Sequence, residues 1–231
     1  MKVFWSKVEL APGNQGYGLL LDGRPVRTPA KTELILPTRK AAEAAAEEWR
    51  AQTGEVRPSL MPLTRAANTT LDRVIPNQTA VGAEIASYGH TDLLCYRAPH
   101  PLGLAERQAA AWDPLLAWAD EALGAPLRST EGIVHCLQPH QSLDALSRQV
   151  DLHDPWELTA LHDLVTLSGS LVIGLAVSGG RISAEQAWPI SRIDELWNIE
   201  EWGEDAEAAA AAGRKQADFL QAEQLLSLLR G

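Results

Sequence analysis

The stretch from Asp154 to Gly180 sets the tightest limit on what this chain can fold into. Asp154-Pro-Trp-Glu157 is a helix start, with Asp at the N-cap, Pro at the first helical position and Glu at the third. Leu161, Leu164, Val165, Leu171, Val172 and Leu175 supply an apolar face, and the far half is apolar almost all round. A helix with no polar face has to be covered, so this one is expected to run to about Ser178 as the central buried helix. Gly179-Gly180 should end it, while Ser168, Gly169, Ser170 and Gly174 should let neighbours approach closely. The longest uncharged apolar run, Leu164 to Ser178, is too short to span a membrane.

The chain before this helix changes character once. Val3, Trp5, Val8 and Leu10 alternate like a strand from the start, so no signal or transit peptide is expected before the fold. Tyr17–Leu21 and Pro25–Thr28 flank Asp22-Gly23, a hairpin turn that requires positive φ, and Glu33–Leu36 continues the meander. Thr38 should cap an alanine-rich helix to about Gln52, buried through Ala42, Ala45, Ala46 and Trp49. A short helix from Leu63 to Val74 should stop at Pro76. Helices are then expected over 79–88, 104–123, 143–150 and 206–229, the last frayed at Gly213. The fold class is therefore α+β: a small N-terminal β-rich domain (1–75) followed by a larger, mainly α-helical C-terminal domain (76–231).

A second helix signal follows the buried one. Ser183 and Gln186 form a capping box, and Gly203 is expected to close the same helix in a left-handed cap. On one continuous helix, Ile190, Ile193, Leu196 and Trp197 make an apolar face. Trp188, Arg192, Glu195, Ile199 and Trp202 make a second stripe beside it. Glu195 then sits among bulky apolar neighbours with Arg192 as its i, i+3 partner. Either it is an ion pair at the rim of a core, or it anchors an acidic, tryptophan-rich binding surface.

Charge separates the two halves. Residues 1–75 hold eleven Lys/Arg against eight Asp/Glu, and the remainder nine against twenty-two. An acidic C-terminal part disfavours nucleic acid and fits a protein partner. Arg24, Arg27, Lys31, Arg39 and Lys40 could orient the basic part against an acidic surface. Two cysteines, Cys95 and Cys136, build neither a disulfide framework nor a zinc site, and a reducing compartment follows.

Motifs for small-molecule chemistry are sparse. There is no G-x-G-x-x-G and no Walker sequence. His135, Cys136 and His140 lack zinc spacing, and Ser168-Gly-Ser170 is not a nucleophile elbow. No catalytic, cofactor or metal residues are assigned, and no cofactor is expected. An alternative of another class is an enzyme with a site at the domain junction near His90, Asp92 and Arg97; there Cys95 is more simply a buried thiol. Asp194, Glu195, Glu200, Glu201, Glu204 and Asp205 crowd one helix end rather than facing across a cleft, which points to a surface; Glu204 and Asp205 also suit the next helix N-terminus.

Several longer motifs carry a resemblance. Leu21-Asp-Gly-Arg-Pro-Val-Arg-Thr-Pro29, Glu48-Trp49, Met61-Pro-Leu-Thr64, Thr91-Asp-Leu-Leu-Cys-Tyr-Arg97, Trp112-Asp-Pro114, Ser168-Gly-Ser170 and Asp194-Glu-Leu-Trp-Asn-Ile-Glu-Glu-Trp-Gly203 occur in order over nearly the whole chain. Together they resemble the ATP synthase F1 assembly chaperones that act on the F1 alpha subunit. The resemblance implies a β-rich N-terminal domain, a helical C-terminal domain and no catalysis. It further implies binding of unassembled alpha subunit, which would be kept from aggregating until beta subunit associates. Glu195 falls at the place of a functionally important family glutamate, and Asn198 stands where the family pattern has glutamine. With the reading of the residues, this gives Glu195, Trp188, Trp197, Trp202, Glu201 and Asp205 as expected partner-binding positions. The expected setting is a bacterial cytoplasm, or the mitochondrial matrix for a processed eukaryotic member.

Overall fold

A computed structural model describes residues 2–230. They divide into two units. The first comprises the chain up to Gln78 with Pro155–Ala160 and the segment from Gln224; the second comprises Thr79–Asp154 and Leu161–Glu223. The first unit is thus made of three chain segments. Its later two lie inside helices whose other ends belong to the second unit, so no composition change near Pro76 could mark them.

The first unit is built on a small antiparallel sheet. β1 (Val8–Gly13) pairs along its whole length with β2 (Gly16–Leu21), from Val8 opposite Leu21 to Gly13 opposite Gly16. The other side of β2 is shared by two short strands, β3 (Arg24–Pro25) at one end and β4 (Ile35–Leu36) at the other. Asp22 and Gly23 both take positive φ, 47° and 77°, as the Asp-Gly turn requires. Leu19, Leu21, Leu34 and Leu36 point to the buried face. Residues 2–7 add no strand of their own: Lys2 makes an isolated bridge with Glu55, Val3 donates to the Gly54 carbonyl at 2.9 Å, and β1 starts only at Val8.

α1 (Arg39–Arg50) lies on this sheet through Ala41, Ala42, Ala45, Ala46 and Trp49. Four alanines bring helix and sheet close, and Thr38 caps the helix by accepting from the Ala41 amide at 3.1 Å. At the far end Glu48 reaches the start of α2 (Pro62–Thr69). It accepts from the amides of Leu63 (2.7 Å) and Thr64 (2.8 Å) and from the Thr64 hydroxyl (2.7 Å). Trp49 donates its indole N–H to the same hydroxyl at 3.1 Å and packs at 5.3 Å from the Trp5 ring. Pro76 does not end the helical run. The chain continues through a π turn (Thr70–Val74) and a 3₁₀ turn (Ile75–Asn77), with Pro76 inside the latter, directly into α3 (Gln78–Ser87).

The second unit is helical apart from one pair of two-residue strands, β5 (Tyr96–Arg97) and β6 (Thr130–Glu131), which run parallel. Around them lie α4 (Leu102–Leu123), α5 (His140–Asp151) and α6 (Pro155–Ser168), which begins in the first unit. The expected single helix from Asp154 to Ser178 is broken. Gly169 takes φ 72°, and Ser170 starts α7 (Leu171–Ser178) as its N-cap, accepting from the Ile173 amide at 3.0 Å. Every residue of α7 is buried, as its all-apolar surface demands. Gly174 is where α6 comes closest: a Cβ there would lie 2.4 Å from a Val165 methyl.

Asp92 holds the α6–α7 break. It accepts from the Ser170 hydroxyl (2.8 Å), the Val172 amide (2.9 Å) and the Leu94 amide (3.0 Å). The chain closes with α8 (Ala184–Ile190), α9 (Ile193–Trp202) and α10 (Ala206–Leu229), which is continuous through Gly213 and ends in the first unit.

Candidate functional site

The segment 183–203 starts as its sequence requires and then departs from expectation. Ser183 and Gln186 make the reciprocal capping box at 3.2 and 3.0 Å. The helix they open stops at Ile190, and α9 restarts after Arg192, so one long helix is replaced by two short ones. The Ile190 carbonyl accepts instead from the Trp112 indole of α4 at 2.8 Å, and the Ser191 hydroxyl donates to the Trp188 carbonyl at 2.8 Å. Gly203 does end α9, at φ 89° and ψ 166°, an extended conformation open in practice to glycine and not the left-handed helical cap.

The break separates the expected stripe. Trp188 is 6% exposed and packs its ring 5.4 Å from Phe219 of α10, so it belongs to the core and is removed from the partner-facing set. Arg192 bridges the two parts, with its guanidinium 5.4 Å over the Trp188 ring and 3.6 Å from Glu195. Glu195 itself remains more than half exposed. Trp197 is half-buried against α4. A Cβ on Gly103 would come within 3.0 Å of its ring, and Arg107 lies 5.0 Å over it. Arg107 then forks onto Glu200 with two bonds of 2.8 Å, which holds the Glu200 carboxyl below its ordinary pKa. Gln108 adds a bond to Asp194 and accepts from the Ala98 amide at 2.8 Å. The contacts between α4 and α9 span more than eighty residues of sequence, so nothing local in α9 announces them.

What α9 leaves outward is a short surface of mixed chemistry. Glu195, Leu196, Glu201 and Trp202 are exposed, with Ile199 half-exposed between them. Glu195, Ile199 and Trp202 follow one another at i, i+4, i+7 and share a face. Leu196, grouped by periodicity with Ile193 and Trp197, joins them at the surface, while Ile193 is buried and Trp197 half-buried. Trp202 is 85% exposed, and of the eight tryptophans it alone is exposed. Asp205 is exposed but committed on one oxygen, since it caps α10 by accepting from the Ala208 amide at 2.8 Å. This arrangement can bury aromatic and aliphatic surface against a partner and orient it with carboxylates; it offers no nucleophile.

The residues of the enzyme alternative are placed otherwise. Asp92 is fully buried, and burial pushes its carboxyl above the ordinary range while its hydrogen bonds oppose the rise. Arg97 donates to the Leu94 carbonyl at 3.0 Å, lies 2.7 Å from Asp113 and covers the Trp112 ring at 5.2 Å. Cys95 is buried and its thiol is pushed up to about 12, first by burial and then by the Asp92 charge. His90 is exposed. Among the described residues, no group of three or more His, Cys, Asp or Glu could hold a metal ion. Among the described residues, no helix is long and apolar enough to cross a membrane either.

Known proteins share this architecture throughout. The family model for ATP12 chaperone proteins matches residues 2–120. The crystal structure of Atp12 from Paracoccus denitrificans superposes with a TM-score of 0.96 at 47% identity, over 99% of this chain and 98% of that one. An aspartate-to-lysine mutant of the same protein gives the same values. The Atu1473 protein of Agrobacterium tumefaciens matches at 38% identity and a TM-score of 0.94, over 98% of this chain and 85% of that one. With a family model covering half the sequence and a relative of 47% identity matching from end to end, the chain belongs to the ATP12 chaperone family.

Proposed function

We propose that this protein is a non-catalytic chaperone of ATP synthase F1 assembly, binding unassembled alpha subunit through the outward face of α9 and keeping it from aggregating until beta subunit associates. The observation that carries the reading is Trp202, 85% exposed at the end of α9 with Glu195 and Glu201 nearby. A large exposed indole next to carboxylates is costly for a protein that only has to stay soluble, and useful for one that must grip an apolar interface and release it. A subunit awaiting its partner exposes such an interface. The commitment of Asp92, Arg97 and Cys95 to internal bonds and burial weighs against the enzyme alternative.

The test is a pull-down from the source cell with identification of what is bound. The expected result is alpha subunit recovered without beta. Recovery of assembled F1, or of no F1 subunit, would overturn the reading.

A further inference from the structure

The loop between β6 and α5 carries three strongly exposed apolar side chains, among them the most exposed large hydrophobic residue of those described. Ile133 is 96% exposed, Leu137 75% and Val134 73%. From Gly132 to Pro139 the loop holds no Asp, Glu, Lys or Arg, in a chain that is 22% charged. Its neck is nonetheless fixed. Gln138 is buried and bonds both ways to the Arg128 backbone, donating to the carbonyl and accepting from the amide at 2.8 Å each. The β5–β6 pairing sets Tyr96 opposite Thr130 and Arg97 opposite Glu131, and Gly132 donates to the Arg97 carbonyl at 2.8 Å. Tyr96 Oη and His135 Nδ1 lie 3.2 Å apart. An apolar tip on a pinned neck is presented rather than collapsed.

The neck and α9 are attached to the same helix. Arg97 meets Asp113 of α4, while Gly103 and Arg107 of α4 seat Trp197 of α9. From Gly103 to Asp113 the helix axis advances about 15 Å. The loop neck and α9 are thus anchored on one helix, within that span along it.

We propose that loop 132–137 is a second client-contact element, placing Ile133, Val134 and Leu137 in an apolar cleft of the same polypeptide that α9 binds. The proposal rests on the chaperone reading. The acidic balance of residues 76–231 opposes anionic lipid. Three side chains offer far less than the roughly 1,200 Å² that a stable dimer buries, so a second copy of this chain is a poor occupant. Added to an existing contact, the same small area raises affinity through effective concentration.

The experiment compares the full-length wild-type chain, an Ile133→Ser/Val134→Ser/Leu137→Ser variant and a Trp202→Ala variant, with purified F1 alpha subunit as probe. Affinity is measured alongside thermal midpoint, sedimentation mass and flotation with anionic vesicles. The loop variant is expected to keep the wild-type midpoint and to bind about tenfold more weakly. Wild-type affinity in the loop variant, while Trp202→Ala is impaired, overturns the loop proposal and leaves the chaperone reading standing. A change of sedimentation mass or of flotation overturns it in favour of a second copy or a lipid surface. Failure of the wild-type chain to bind alpha subunit overturns both.

Discussion

Glu48-Trp49 of α1 and Glu195 with Trp202 of α9 use the same two residue types in opposite ways. Glu48 is turned inward and spends both carboxylate oxygens on the start of α2, while Trp49 fills the space between Trp5 and Thr64. Glu195 keeps a single, solvent-screened pairing with Arg192, and the Trp202 indole faces solvent. In the first unit the pair stabilises the fold. In the second its binding capacity is left unspent, which is the physical condition for a surface that works on something else.

The largest expected effect breaks the inward pair. Glu48→Ala leaves two amides and a hydroxyl without their acceptor and should cost roughly 2–4 kcal/mol of stability, read from denaturant unfolding. Affinity for F1 alpha subunit, measured where the variant is still folded, should be unchanged. A matching loss of affinity would mean that the two regions are not separable as described.

Glu195→Lys should do the reverse. Its exposed pair with Arg192 is worth about 0.2–1 kcal/mol, so the thermal midpoint should hardly move. Suppression of alpha-subunit aggregation should be lost, because a like charge opposite a binding group costs several kcal/mol. An early-melting variant would show Glu195 to be structural; a stable variant that still protects would take α9 out of the working surface. Trp202→Ala is expected to weaken client binding by about 2 kcal/mol with stability within about 0.5 kcal/mol of wild type. A client affinity equal to wild type would leave the exposed indole unexplained.

The sequence announced the local features because each rests on neighbouring residues. Thr38, the Asp22-Gly23 turn, the alanine face of α1 and the Ser183 capping box all lie where their side-chain chemistry puts them. The two helix breaks were not legible. At Gly169 the apolar pattern runs straight through, and the interruption depends on Asp92, nearly eighty residues earlier, bonding Ser170 and Val172. Ser170, which follows glycine and precedes an apolar run, has the residue type of an N-cap, yet nothing local separates it from a small packing residue. At Ile190 the distant partner is the Trp112 indole. Because that second break separates α9 from α8, the stripe that periodicity draws from Trp188 through Glu195 to Trp202 is split, and Trp188 lies in the core.

The smallest expected effect separates buried from exposed carboxylates by pH. For Glu48, burial dominates and raises the pKa above its ordinary 4.5, although the Thr64 and Leu63 bonds pull it down. The folded state therefore holds this proton more tightly than the unfolded chain does. Its contribution is fullest below about 4.5 and declines as pH rises from there through the folded value. Glu200, drawn below 4.5 by Arg107, behaves the other way: its contribution is present above that value and lost as pH falls through the folded pKa. Thermal midpoints should be followed from acid to neutral pH for wild type, Glu48→Gln and Glu200→Gln. Wild type should lose stability relative to Glu48→Gln as pH rises, and gain relative to Glu200→Gln over the range where Glu200 ionises. Parallel curves for Glu48→Gln would show that its three hydrogen bonds cancel the cost of burial. An opposite slope would show that they exceed it, making the inward glutamate a stabilising anion at neutral pH.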